Sequence, residues 1–299
     1  MRLADWTKPE IDAACSAAHG RYDRALALQY TEYFAANPGL KGDHRHCAKS
    51  IETALPPDWG RLAERIPVSQ RHQHHLSGKS SQMLALGLLG AASELSPTLD
   101  WLWKLLGVDH NLTSTEQRVD FEYDVEPTLL NEQPRVTSID CLVRNSEMFV
   151  AIETKWAEKG LGSCSCSDGE GDATIGECAD RILQRPEYMA VARDFFGLPP
   201  RSQGNYCPIS TPYQAIRNVA AVRALAGKRA SAFVLIFDEN NPYFRECGNW
   251  PGWPSLLQST LLRRENFLFQ AISWQRLLSF ISLDGSVKAW AREKHRLSE

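Results

Sequence analysis

No stretch of the 299-residue chain approaches the roughly 18 consecutive apolar side chains that a membrane-spanning helix needs. No transmembrane segment and no membrane partner are therefore expected. The opening residues Met1-Arg-Leu-Ala-Asp-Trp6 lack the apolar stretch of a secretory leader, which points to the cytoplasm. Excess positive charge is missing as well. The 33 Lys and Arg against 36 Asp and Glu leave a net charge of −3. That excludes a uniformly basic nucleic-acid coat, so any affinity for polyanions must come from a local basic face. Internal repeats and low-complexity tracts are also missing. Cysteine is not scarce. There are eight, and without a leader they read as thiols or metal ligands in a reducing compartment rather than as disulfides. A hydrophobic share of 43% over this length can bury a full core without such staples.

The chain divides into four parts. Residues 1–75 read as a polar helical region. Thr7 caps one helix with Pro9 and Glu10 in its first turn, and a second stretch runs from about Asp23 to Ala35, before Asn-Pro-Gly. Residues 76–299 read as one further domain. It opens with an apolar helical pattern from Ser80 to Leu95. Three strand-like runs follow at about Val119–Val125, Arg135–Val143 and Met148–Trp156, the last two joined by a hairpin turn at Arg144-Asn-Ser-Glu147. In the first run, Phe121, Tyr123 and Val125 alternate against acids. Residues 157–212 are rich in Gly, Ser, Asp and Cys around one helix at about 179–196, and read as an insertion. Regular structure resumes with a helix at Tyr213–Ala226, a buried strand at Ala230–Asp238, a short strand at Asn266–Ile272 and a last helix beginning at Trp274.

Side chains alternate along a strand, so Glu153 and Lys155 share one face of the third run, and an antiparallel neighbour brings Asp140 beside them. Ile139, Cys141, Leu142 and Val150–Ile152 surround them with apolar residues. Acids and a lysine are costly to bury there unless they are paired or bound to metal. Two carboxylates converging on one point suit Mg²⁺, completed by waters and substrate phosphate oxygens. A neighbouring lysine can orient or deprotonate an attacking water and offset charge on the phosphorus centre.

This constellation, with its order of elements, resembles the PD-(D/E)XK nuclease superfamily of restriction-endonuclease-like folds. The resemblance spans about 77–156 and 213–281. Ile139-Asp140 and Glu153-Thr154-Lys155 carry it, with Ile139 where the motif has proline. It implies an α/β protein with an αβββαβ core and a mixed sheet, extended here by the helical N-terminal region and the cysteine-rich insertion. It also implies Asp140, Glu153 and the backbone carbonyl of Thr154 as ligands of Mg²⁺ or Mn²⁺, and Lys155 at the nucleophilic water. Glu94, near the end of the first core helix, becomes a supporting acid. Gln214 and Arg217, on the helix after the motif strands, become an active-site residue and a substrate contact. The implied reaction is hydrolysis of DNA phosphodiester bonds leaving a 5′-phosphate, in an endonuclease of the restriction or defence type. A homodimer is the corresponding expectation, since cutting two strands calls for two sites. A second reading, of another class, is a catalytically silent, zinc-stabilised nucleic-acid-binding module.

Other features are less specific. Cys164, Cys166, Cys178 and Cys207 fall in the polar insertion and could hold a structural Zn²⁺, with an iron–sulfur cluster as the second choice, although C-x-C is not the usual zinc spacing. Cys15, Cys47, Cys141 and Cys247 read as ordinary thiols. Arg71-His-Gln-His-His75 reads as a solvated loop, with His74 or His75 positioned to face phosphate. Gly78-Lys-Ser80 is not a P-loop, because Gln73 stands where that motif has glycine. Ser80, Ser81 and Gln82 stand at the mouth of the first core helix, where free N–H groups favour a DNA phosphate, and helix capping alone explains them equally well.

Overall fold

The computed structural model describes residues 2–108, 116–132, 136–162, 186–198, 209–261 and 264–297. Helix α1 runs unbroken from Lys8 to Ala36, in place of the two helical stretches read from the sequence. Glu10 accepts hydrogen bonds from the Thr7 amide at 2.8 Å and hydroxyl at 2.7 Å, closing its first turn. Its continuity comes from one inward stripe at helical spacing: Ile11, Cys15 and His19, then Leu26, Tyr30 and Phe34, all buried. Leu26, Tyr30 and Phe34 share a core cluster with Ile152 and Val234 of the sheet, so the N-terminal region packs on the same core as the rest.

The helix over 81–95 passes through a π-helical turn, Leu86–Gly90, between Ser81–Ala85 and Ala91–Leu95; we call it α2. Gly87 on this turn lets the Trp290 ring approach so closely that a Cβ would stand 2.7 Å from it. A further helix, α3, spans Asp100–Leu106.

The sheet has the order β1-β2-β3-β4-β5, with β1 Arg118–Asp124, β2 Ser138–Arg144, β3 Met148–Lys155, β4 Ala230–Phe237 and β5 Phe267–Ser273. The first three strands are antiparallel, and β3, β4 and β5 are parallel. Asn145 Oδ1 sets the β2–β3 hairpin by accepting from the amides of Glu147 at 2.9 Å and Met148 at 2.8 Å. The crossover from β3 to β4 includes α4, Pro186–Asp194, and α5, Tyr213–Ala226.

Alternation on β3 divides the core. Met148, Val150 and Ile152 pack with α1 and α2 on one side, while Phe149 and Ala151 pack with α5 on the other. Chain continues through α6, Trp253–Thr260, on the way to β5. The single last helix expected from Trp274 is instead a short turn, Trp274–Leu277, and a separate helix α7, Gly285–His295. Asp284 starts the second piece by accepting from the Val287 amide at 2.9 Å. The mixed sheet and the helix–strand order give an α/β fold of the restriction-endonuclease-like kind. Most of the cysteine-rich insertion, including Cys164, Cys166, Cys178 and Cys207, lies outside the described residues.

Candidate active site

The site forms where β2 and β3 part. Their pairing runs as far as Cys141 opposite Ile152. Beyond that point the Thr154 amide donates to the side chain of Asp140, at 2.8 Å to Oδ2, and the Thr154 hydroxyl donates to the same oxygen at 2.8 Å. β3 remains paired with β4 to its last residue, Lys155 opposite Phe237. Every residue of β3 is buried, including Glu153, Thr154 and Lys155.

Lys155 Nζ lies 2.7 Å from Glu153 Oε1. The other carboxylate oxygen of Glu153 accepts from Asn218 Nδ2 on α5 at 2.5 Å. Glu158, just past β3, is held by the Trp156 amide at 2.6 Å and the Ser81 hydroxyl at 2.5 Å. Asp140, Glu153 and Lys155 thus meet in one place. Asp140 keeps partial access to solvent.

The electrostatics follow from too much negative charge in a dry place. Burial, and then the charge of Glu153, pushes Asp140 up to about 7, against the pull of Lys155 and the two Thr154 hydrogen bonds. Burial followed by the charge of Asp140 pushes Glu122 up to about 8. Burial disfavours the Lys155 ammonium, but Glu153, Glu158 and Asp140 outweigh it and raise its pKa above the ordinary lysine value.

These acids are suited to a hard dication. Mg²⁺ takes one or two carboxylates and keeps several waters, and among the described residues Glu153 Oε1 has no hydrogen bond beyond the ion contact to Lys155. A closed site is not present: among the described residues no group of three or more His, Cys, Asp or Glu side chains is gathered to hold a metal.

The remaining predicted residues are placed differently. Glu94 lies outside the cluster and pairs with Arg61 at 2.7 Å, its side chain 35% exposed. It stands twelve residues beyond Gln82 on α2, about 18 Å along the axis at 1.5 Å per residue. Arg217 turns inward, donating to Thr137 Oγ1 and the Val136 carbonyl, each at 3.0 Å, and lying 3.6 Å from buried Glu132. Gln214 packs against Gly162, where a Cβ would come within 2.8 Å of its amide carbon, and among the described residues its buried Oε1 has no hydrogen-bond partner.

Ser80 caps α2 by accepting from the Met83 amide at 3.3 Å. Gln82 donates to the Gln70 carbonyl and accepts from the His72 amide, both at 3.1 Å. Ser80, Ser81 and Gln82 are therefore all engaged within the protein.

Three contributors escaped the sequence reading. Glu122 reads there as one acid of an alternating outer face. In the structure a left-handed φ of 49° breaks the alternation, and the residue is buried. Asn218 is separated from Glu153 by 65 residues; its only local signal is a polar residue within an apolar helix face. His72 approaches Glu122 at 3.7 Å from a loop that reads as solvated.

No curated protein and no solved structure matches the chain. The family described as "Restriction Endonuclease associating with ARP" matches residues 21–294, and the chain belongs to that family, within the restriction-endonuclease-like PD-(D/E)XK superfamily.

Proposed function

We propose that the protein is a metal-dependent nuclease that hydrolyses DNA phosphodiester bonds, a cytoplasmic endonuclease of the restriction or defence type that acts as a homodimer. The observation that carries this reading is the meeting of Asp140, Glu153 and Lys155 at the parted ends of β2 and β3. Family membership supports the nuclease class. Asp140 and Glu153, with the carbonyl of Thr154, would hold Mg²⁺ or Mn²⁺. That ion supplies Lewis-acid polarisation of the phosphate and lowers the pKa of a bound water.

The chain's own residues do the rest. Thr154 fixes Asp140 through its amide and hydroxyl, and Asn218 fixes Glu153. Lys155, 2.7 Å from Glu153, serves as a cation that orients water and offsets phosphate charge. Glu122 supplies the supporting acid that the family resemblance assigns to Glu94.

The test is incubation of supercoiled plasmid with the purified protein, with and without Mg²⁺ or Mn²⁺, beside Lys155→Ala. Nicking or linearisation that needs both metal and Lys155 is the expected result. DNA retardation without products in every metal would instead support a silent binding module. Cleavage by folded Lys155→Ala at the native rate would overturn the assignment.

A further inference from the structure

His72 stands at the rim of the acid cluster with Nε2 3.7 Å from Glu122 Oε2. Its main chain is fixed from two sides. Gln82 Oε1 accepts from its amide at 3.1 Å, and its carbonyl lies 2.7 Å from Nδ1 of His75. Glu122 reaches this position from a left-handed backbone, φ 49°, a conformation costly for a residue with a Cβ and concentrated at functional sites. Its side chain is 5% exposed, whereas the His72 side chain is 58% exposed. Among the described residues no hydrogen bond occupies His72 Nδ1. The ring thus has one nitrogen facing a buried acid, while the half-exposed side chain leaves the other without a hydrogen bond among the described residues. A buried acid on one side of an imidazole fixes which way the ring faces.

The charged groups around His72 are Glu122 from β1, Glu153 and Lys155 from β3, Glu158 beyond it and His75 from its own loop. Burial, the largest influence, lowers the pKa of His72. The ring is therefore mostly neutral near pH 7 and free to accept a proton.

We infer that His72 is a catalytic residue, the general base for the attacking water, and that Glu122 is the positioning residue behind it. This rests on the nuclease reading above. In the step, the water oxygen forms its bond to phosphorus while its proton passes to Nδ1 of neutral His72. The P–O3′ bond breaks with its electron pair left on O3′, which takes a proton from solvent. His72 then returns its proton to solvent.

The experiment compares wild type, His72→Ala, His72→Gln and Glu122→Gln in plasmid cleavage with Mg²⁺, with circular dichroism confirming that each variant is folded. Loss of a general base predicts a fall in kcat of about 100-fold for both His72 variants, with KM little changed. Added imidazole should restore cleavage to His72→Ala, which has room for it, in proportion to the neutral imidazole present. It should not restore His72→Gln. Glu122→Gln should lose about tenfold, within the range for partners that orient a functional group. Native kcat in either folded His72 variant, or a loss confined to KM, would overturn the inference and leave the nuclease reading standing. Absence of cleavage by the wild type itself would overturn that reading and, with it, the role of His72.

Discussion

A lysine that is 5% exposed survives in the core only because its charge is matched, and the match here is 2.7 Å away in Glu153. Replacing Lys155 with Met keeps the bulk and removes the cation, so we expect cleavage to fall by about 10²–10³-fold, measured as single-turnover rate at saturating metal. Asn218→Ala removes one donor to Glu153 but leaves the ion contact. A smaller fall of roughly tenfold is expected, by the usual worth of a group that orients a ligand, and it should be relieved in part by Asn218→Gln or higher Mg²⁺. At this scale, legibility followed sequence distance. Glu153 and Lys155 are two residues apart, and Asp140 lies one hairpin away, so strand alternation alone places them together. Asn218 and His72 come from elements whose packing the local pattern does not encode. Glu122 was hidden because a single left-handed residue turned an outward-facing pattern inward.

The elements themselves were legible where a local pattern set them. The hairpin turn, the apolar alternation of β3 and the stop of α5 at Gly227 each follow from a few neighbouring residues. The continuity of α1 was not legible, because its inward stripe is diluted by polar residues and the helix is stabilised by packing on the sheet. Arg217 shows the same limit. Its place on α5 next to Gln214 suggested a contact for DNA. Instead it joins α5 to the 126–132 and 136–137 segments and to α4, in a buried cluster with Glu132, Thr137 and Tyr188. Glu132 is 1% exposed, so Arg217→Ala leaves a buried carboxylate without its cation. A loss of about 3 kcal/mol in unfolding free energy is expected, read from urea denaturation. Arg217→Ala/Glu132→Gln should recover most of it, an outcome that a surface arginine used only to contact DNA would not give.

Across the whole molecule, the acid cluster links function to stability. Asp140 and Glu122 titrate in the folded protein at about 7 and about 8, above their unfolded values. Their folded states bind more protons than the unfolded chain between roughly pH 4 and pH 8. Their contribution is therefore fully present in acid and lost as pH rises through that window. Buried Lys294 acts in the opposite sense. Burial lowers it to about 7, so the unfolded chain binds the extra proton between about pH 7 and pH 10, and stability recovers as pH rises across that range. Single variants separate the two. Asp140→Asn relieves the repulsion with Glu153, so without divalent metal at pH 8 it should unfold later than wild type, by on the order of 1 kcal/mol given its partial exposure. At pH 4 the advantage should vanish. Mg²⁺ should then reverse the order, raising the wild-type midpoint by mass action and leaving Asp140→Asn nearly unmoved. Thermal unfolding at pH 4 and pH 8, with and without 10-millimolar-scale Mg²⁺, reads all of these. A variant that is more stable without metal, inactive with it and blind to its addition would mark Asp140 as a residue kept for chemistry at the expense of the fold.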